Sequence, residues 1–163
     1  MANLYILSGC PGSGKSTWVK NHINPYFDKY VSRDDIRFSL VKEGEEYFSK
    51  EKEVFKLFVH QINQYLLEEK NVFADATHLN RASRNKLLRN ICGNPHINVI
   101  WMKTSLEECL KRNENRKGTR SYVPREVIKN MYFNLERPSF EEGIEKIYIV
   151  DANGKLHLKV RVE

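Results

Sequence analysis

The sequence predicts an α/β fold of three layers, a mostly parallel central sheet flanked on both faces by helices, and three observations carry that prediction. Short apolar runs at residues 4–7, 29–32, 72–75, 97–102 and 147–150 alternate with helical segments, the order that builds a parallel sheet with crossover helices. Within residues 50–70, Val54, Phe55, Phe58, Val59, Ile62, Tyr65 and Leu66 recur at three- and four-residue intervals, which makes one buried stripe. Between the first strand and the first helix, residues 9–16 read Gly-Cys-Pro-Gly-Ser-Gly-Lys-Ser. This is a complete G-x-x-x-x-G-K-[ST] loop in the strand–loop–helix setting that its chemistry requires.

The remaining elements follow in order. Residues 16–20 continue out of the loop as a helix, and Asp75 closes an apolar strand. A helix is expected from about 80 to 91, then the strand at 97–102. Ser105-Leu106-Glu107-Glu108 is a capping box that opens a helix to about residue 113. Pro124 suits the first turn of a helix that runs to Arg137 and stops at Pro138. After the strand at 147–150, Asn153-Gly154 precedes an alternating run over residues 156–162, the signal of a two-residue hairpin. The expectation is one domain, residues 1–163, with no internal repeat and no linker.

Composition excludes several classes. Hydrophobic residues make up 40% of the chain and charged residues 29%, the balance of a soluble globular protein. No apolar run approaches the roughly 20 residues that span a bilayer, and residues 1–3 begin no secretory leader. Cys10, Cys92 and Cys109 are scattered and odd in number, which fits a reducing cytoplasm and neither a disulfide framework nor a zinc site. The histidines show no ligand spacing; His60 is read as packing or surface, and Trp18 and Trp101 as core. Two stretches concentrate positive charge: Arg81, Arg84, Lys86 and Arg89 without an acid, and Lys111, Arg112, Arg116, Lys117, Arg120 and Arg125 against Glu114. A solvated face, service to a triphosphate and binding of a polyanionic second substrate all fit them.

The loop itself states a chemistry. Its glycines let backbone N–H groups turn around phosphate oxygens, Lys15 reaches the β- and γ-phosphates, and Ser16 holds Mg²⁺. A nucleoside triphosphate is therefore the expected ligand. Ser32-Arg33-Asp34-Asp35-Ile36-Arg37 follows the second strand, where parallel sheets bind ligands. A carboxylate there can take a proton from an acceptor, and an arginine one turn on can clamp an anion; an Asp helix cap is the rival reading. Asp75 sits where an acid orients magnesium or its waters, or else it begins a turn with Thr77, His78 and Asn80. Residues 115–120 mix arginines with a glycine between two helices, which suits a mobile lid or a plain exposed loop.

Taken in order, these motifs resemble the kinase domain of the phage-type polynucleotide 5′-hydroxyl kinases, within the small P-loop kinases and the zeta-toxin-like AAA-type group. The resemblance runs through residues 9–18, then Ser32-Arg33-Asp34-Asp35 with Arg37, Asp75 with Leu79-Asn80, Lys111-Arg112-Asn113, Val123-Pro124 and Met131-Tyr132, covering roughly residues 3–137. It implies an adenylate-kinase-like P-loop NTPase fold with a helical lid at about 112–124, ATP and Mg²⁺ as cofactors, and a nucleic-acid 5′ end as substrate. Asp34 then corresponds to the general base, and Arg37 to the contact with the acceptor phosphate. Gly9, Gly12, Ser13, Gly14, Lys15, Ser16 and Thr17 would hold ATP with Arg112, Arg116 and Arg120. Lys15, Asp34 and Arg116 form the catalytic set, Ser16 carries the metal, and Asp75 serves the acceptor or the metal's waters. An extra residue between Asn113 and Gly118 leaves Arg116, Lys117 and Arg120 as alternatives for the lid contact. The phosphatase motif D-x-D-x-T of the phage enzyme has no counterpart, so no 3′-phosphatase activity is expected. A kinase of a small hydroxylated molecule and a nucleotide-dependent switch or ATPase are the rival functions.

Overall fold

Side chains of the first strand, β1 (Asn3–Ser8), enter two different cores in alternation. Leu4 and Ile6 join one cluster, Tyr5 and Leu7 the other, as a strand with helices on both faces must. The computed structural model describes residues 1–161. Along them run α1 (Lys15–His22), β2 (Asp28–Ser32), α2 (Arg33–Leu40), α3 (Glu51–Leu67), β3 (Asn71–Asp75) and α4 (Arg81–Leu88). Next come β4 (His96–Met102), α5 (Leu106–Glu114), α6 (Arg125–Phe133), β5 (Lys146–Val150) and β6 (Leu156–Lys159). One sheet holds all the strands in the order β2-β3-β1-β4-β5-β6; β1 to β5 are mutually parallel and β6 joins antiparallel at the edge. The expected three-layer architecture is present.

Val54, Phe58, Ile62 and Leu66 of α3 pack with Leu87 of α4 against Leu4, Ile6, Val72, Val99 and Ile147. On the other face Trp18 and Val19 of α1 cover Leu7, Phe73, Ile100 and Val150. Burial of each such large side chain contributes about 1.5–3 kcal/mol. A third cluster joins Cys10 of the glycine-rich loop to Cys109, Leu110 and Ile128, and this contact seats α5 and α6 beside that loop. Among the described residues no helix is long and apolar enough to cross a membrane.

Expected boundaries are corrected at α6 and at the C-terminal hairpin. Helix α6 ends at Phe133, not Arg137, and Pro124 is its extended cap residue instead of its first turn. The Glu136 N–H donates to the Leu79 carbonyl at 2.9 Å, so a tertiary bond draws the chain away before Pro138 can act. The C-terminal hairpin forms, but Val150 pairs with Leu156, which leaves residues 151–155 in the connection. There the Asp151 carboxylate accepts the N–H groups of Asn153 and Lys155 at 2.9 and 3.0 Å, a wider local turn than Asn-Gly alone specifies. Strand β6 stops at Lys159, and Val162 of the expected run lies outside the described residues.

Candidate active site

Strand register assembles the site. Ser32 pairs with Asp75 and Ala74 with Ile6, so β2, β3 and β1 end side by side and deliver α2, Asp75 and the loop after Ser8 to one crevice. β1 lies between β3 and β4, the position where parallel sheets open to ligands.

The loop is a backbone cradle. Gly12 has φ +82°, and a Cβ there would lie 2.7 Å from the Cys109 carbonyl oxygen, so geometry and space both demand glycine. A Cβ on Gly9 would come 2.5 Å from the Ser13 Oγ, a buried hydroxyl without a protein partner. Gly14, also at positive φ, caps α1. Lys15 turns into the loop and donates to the carbonyls of Gly9 and Cys10 at 2.8 and 3.0 Å. Burial lowers its pKa, against the pull of the nearby Asp75 charge. Ser16 and Thr17 follow on the first turn, Ser16 half-buried and Thr17 exposed.

At the end of β2, Ser32 and not an aspartate caps α2, its Oγ accepting the Asp35 N–H at 3.2 Å. That frees Asp34, whose side chain is 60% exposed. Arg37 Nη1 and the Tyr47 hydroxyl both donate to Asp34 Oδ1, the tyrosine at 2.9 Å. Arg37 is buried and grips Glu51 through Nε at 3.1 Å and Nη2 at 2.6 Å. Burial would raise the Glu51 carboxyl, but the bonds and charge of Arg37, with the charge of Arg33, hold it below its ordinary value. The Arg37 guanidinium is thus already committed to two carboxylates; in this geometry it orients Asp34, and an incoming phosphate has to compete for it.

Asp75 is buried and accepts the Tyr30 hydroxyl. Burial raises the Asp75 carboxyl, while Lys15 and the tyrosine bond oppose that rise. Burial and the Asp75 charge raise the Tyr30 pKa in turn, so the phenol remains the donor. Over residues 112–120 the basic residues separate. Arg112 Nη1 donates to the Gly12 carbonyl at 3.2 Å and Arg112 Nε to Glu108 at 3.1 Å. Arg116 is half-buried and Lys117 is exposed. Arg120 instead reaches the α2 terminus, donating to the carbonyls of Phe38 at 3.2 Å and Val41 at 2.5 Å.

A buried network supports the crevice. Arg84 has no exposed surface and holds Glu142 through Nε at 2.7 Å and Nη2 at 3.1 Å. It therefore does not belong to a basic face, which corrects that reading of the 81–89 stretch. Arg84 Nη1 and the Ser8 hydroxyl each donate to the His78 carbonyl at 2.9 Å, and the Gly9 N–H donates to Thr77 at 2.9 Å. His78 Nδ1 lies 2.8 Å from the Leu7 carbonyl; a carbonyl only accepts, so Nδ1 carries the proton. Burial pushes the His78 pKa down to about 4. Between the unfolded histidine value of about 6.5 and that folded value, the unfolded chain binds the extra proton, so stability falls as pH falls and the loss is complete below both. The expected loss is about 3 kcal/mol across that window. Denaturant titrations at pH 7 and 4.5 should show it, and the His78→Asn variant should show a flatter pH dependence; equal slopes would remove His78 as the cause.

Tyr30, Tyr47, Glu51 and Glu142 escape the sequence reading. Tyr30 was detectable in principle, since it lies two residues from Ser32 on a strand that pairs with Asp75. The others come from distant segments and leave no local signal.

Comparisons with known proteins give the chain's family and relatives. A family model described as AAA domain matches residues 4–138. The chain is 33% identical over 143 residues to an L-seryl-tRNA(Sec) kinase of Methanococcus maripaludis, covering 83% of this chain and 53% of that protein. It is 29% identical over 143 residues to a protein of the Autographa californica nuclear polyhedrosis virus named as a bifunctional polynucleotide kinase/RNA ligase, covering 79% and 20%. The chain thus spans about half and about a fifth of these two relatives. In structure it superposes on a chain of the Pnkp1/Rnl/Hen1 RNA repair complex with TM-score 0.69 and 21% identity, covering 99% of this chain and 50% of that one, which is a likeness of fold. The chain belongs to the AAA domain family, and it is similar to the two kinases named above.

Proposed function

We propose that the chain is an ATP- and Mg²⁺-dependent kinase that transfers the γ-phosphoryl group to the 5′-hydroxyl of a DNA or RNA strand, with residues 112–124 as its lid. The observation that carries the reading is Asp34: an open carboxylate oriented by Arg37 and Tyr47, on the first turn of α2 after the β2 strand end. A carboxylate held this way can accept the proton of an acceptor hydroxyl.

The residues present fit a bound triphosphate. The loop offers backbone N–H groups, a Ser13 hydroxyl without a partner, and a Lys15 ammonium held only by carbonyls. Ser16 and the buried Asp75 supply oxygen donors of the kind Mg²⁺ takes, which it binds through few protein ligands and many waters. When bound, the ion neutralises charge developing on the phosphates. Lys15 would release the Gly9 and Cys10 carbonyls for the phosphates, and Arg112 and Arg116 would close the lid side. Asp34 takes the acceptor hydroxyl's proton as the oxygen attacks. The absence of a disulfide among the free cysteines suits a reducing compartment such as the cytoplasm.

The similarity to an L-seryl-tRNA(Sec) kinase supports a second reading, in which the acceptor hydroxyl is borne by an aminoacylated RNA. Incubation with γ-labelled ATP, Mg²⁺ and a 5′-hydroxyl oligonucleotide, beside seryl-tRNA, nucleosides and sugars, separates them. Label on the oligonucleotide is expected; label confined to seryl-tRNA or to a small molecule would replace the first reading.

A further inference from the structure

A cleft of about 180 Å³ lies between the end of α2, residues 41–47 and Arg120 of the lid. Phe38 and Tyr47 are its aromatic lining, and Phe48 stands beside it, against Tyr47. Phe38 and Tyr47 meet edge-on at 6.3 Å between centroids, and Tyr47 meets Phe48 at 4.6 Å, nearly perpendicular. Guanidinium groups lie against these rings: Arg120 is 4.7 Å from the Phe38 centroid, and Arg37 is 4.6 Å from Tyr47 and 5.6 Å from Phe48. Phe48 is 54% exposed, and the charged rim of Lys42, Glu43 and Glu45 faces solvent. The same Tyr47 donates its hydroxyl to Asp34. Whatever docks on these rings therefore stands next to the carboxylate that receives the acceptor.

We propose that Phe38 and Tyr47 of this cleft, with the exposed Phe48 beside it, dock the 5′-terminal nucleobase of the acceptor strand, with Phe48 as the stacking platform. The inference rests on the 5′-hydroxyl kinase reading. The cleft is smaller than the roughly 300 Å³ at which pockets for drug-sized ligands begin, so it suits one flat ring system. Aromatic faces flanked by arginines favour a π-surface, and stacking accepts every base because each has one. The site thus selects for the presence of a base at the end, not for its identity, and its closeness to Asp34 sets the terminal nucleotide in register for transfer.

The test compares a single-stranded 5′-hydroxyl oligonucleotide with the same strand made abasic at its 5′-terminal nucleotide, using the full chain with Mg²⁺ and ATP. Wild type is expected to prefer the base-bearing end in kcat/KM, and Phe48→Ala to reduce that preference by about tenfold, within the range of base–aromatic stacking. Phe48→Trp should preserve the preference, which separates loss of stacking from damage to the fold. Equal losses on both strands with Phe48→Ala, or no preference in wild type, would overturn the nucleobase site alone. Failure of wild type to label either strand would remove the kinase reading, and the inference with it.

Discussion

Asp34→Asn is expected to slow phosphoryl transfer by about 10²–10⁴-fold, the usual contribution of a positioned acid–base group, while ATP binds with near wild-type affinity. The reason is spatial separation within one crevice. The triphosphate cradle belongs to the loop after β1, with Lys15 and the buried Ser13 hydroxyl. Asp34 stands on α2, where Arg37 and Tyr47 orient it and most of its side chain is open to solvent. An asparagine keeps the size, and its Oδ1 can still accept both bonds, but its amide cannot take a proton. Because Ser32 caps α2, the substitution removes no cap and should leave stability within about 0.5 kcal/mol, the usual range for surface changes. Single-turnover transfer and an independent ATP-binding titration check both halves. Near-normal turnover would show that Asp34 serves only the local ion network.

The second large effect is structural. Arg84→Ala is expected to cost about 3–5 kcal/mol of unfolding free energy, the penalty for stranding one member of a buried ion pair. Glu142 is almost fully buried and would keep an uncompensated charge, and the His78 carbonyl would lose one of its two donors. That carbonyl belongs to the segment that holds Gly9 through Thr77, so the phosphate loop should loosen as well. Denaturant midpoints measure the stability, and ATP affinity should fall with it. Pairing Arg84→Met with Glu142→Gln should restore much of the loss, since no charge is then left buried. A loss below about 1 kcal/mol for Arg84→Ala would mean that Glu142 finds another partner or is hydrated.

These two cases show how unevenly the site was legible. Lys15, Ser16 and the glycines could be read because the phosphate loop is local: residue type, spacing and the flanking strand and helix state its geometry together. Asp34 was legible as a candidate, yet its rival reading as a cap fell only when Ser32 proved to hold the Asp35 N–H. Arg84 was read with its basic neighbours, although the fold buries it completely. Nothing within ten residues of Arg84 points to Glu142, which lies 58 positions away. The end of α6 moved for the same reason, because Glu136 bonds to Leu79 across the fold.

By itself, then, the sequence determined the alternation of strands and helices, the α3 stripe and the phosphate loop, since each arises from periodicity or from bonds among near neighbours. Only the tertiary structure decided which charges form the working site and which are buried supports. Sheet register set Ser32 and Tyr30 beside Asp75, and the packing of α2 against α3 and the segment before it brought Tyr47 and Glu51 to Asp34 and Arg37. Pairings of that range depend on how whole elements pack, and a linear pattern of residue types does not encode their distances.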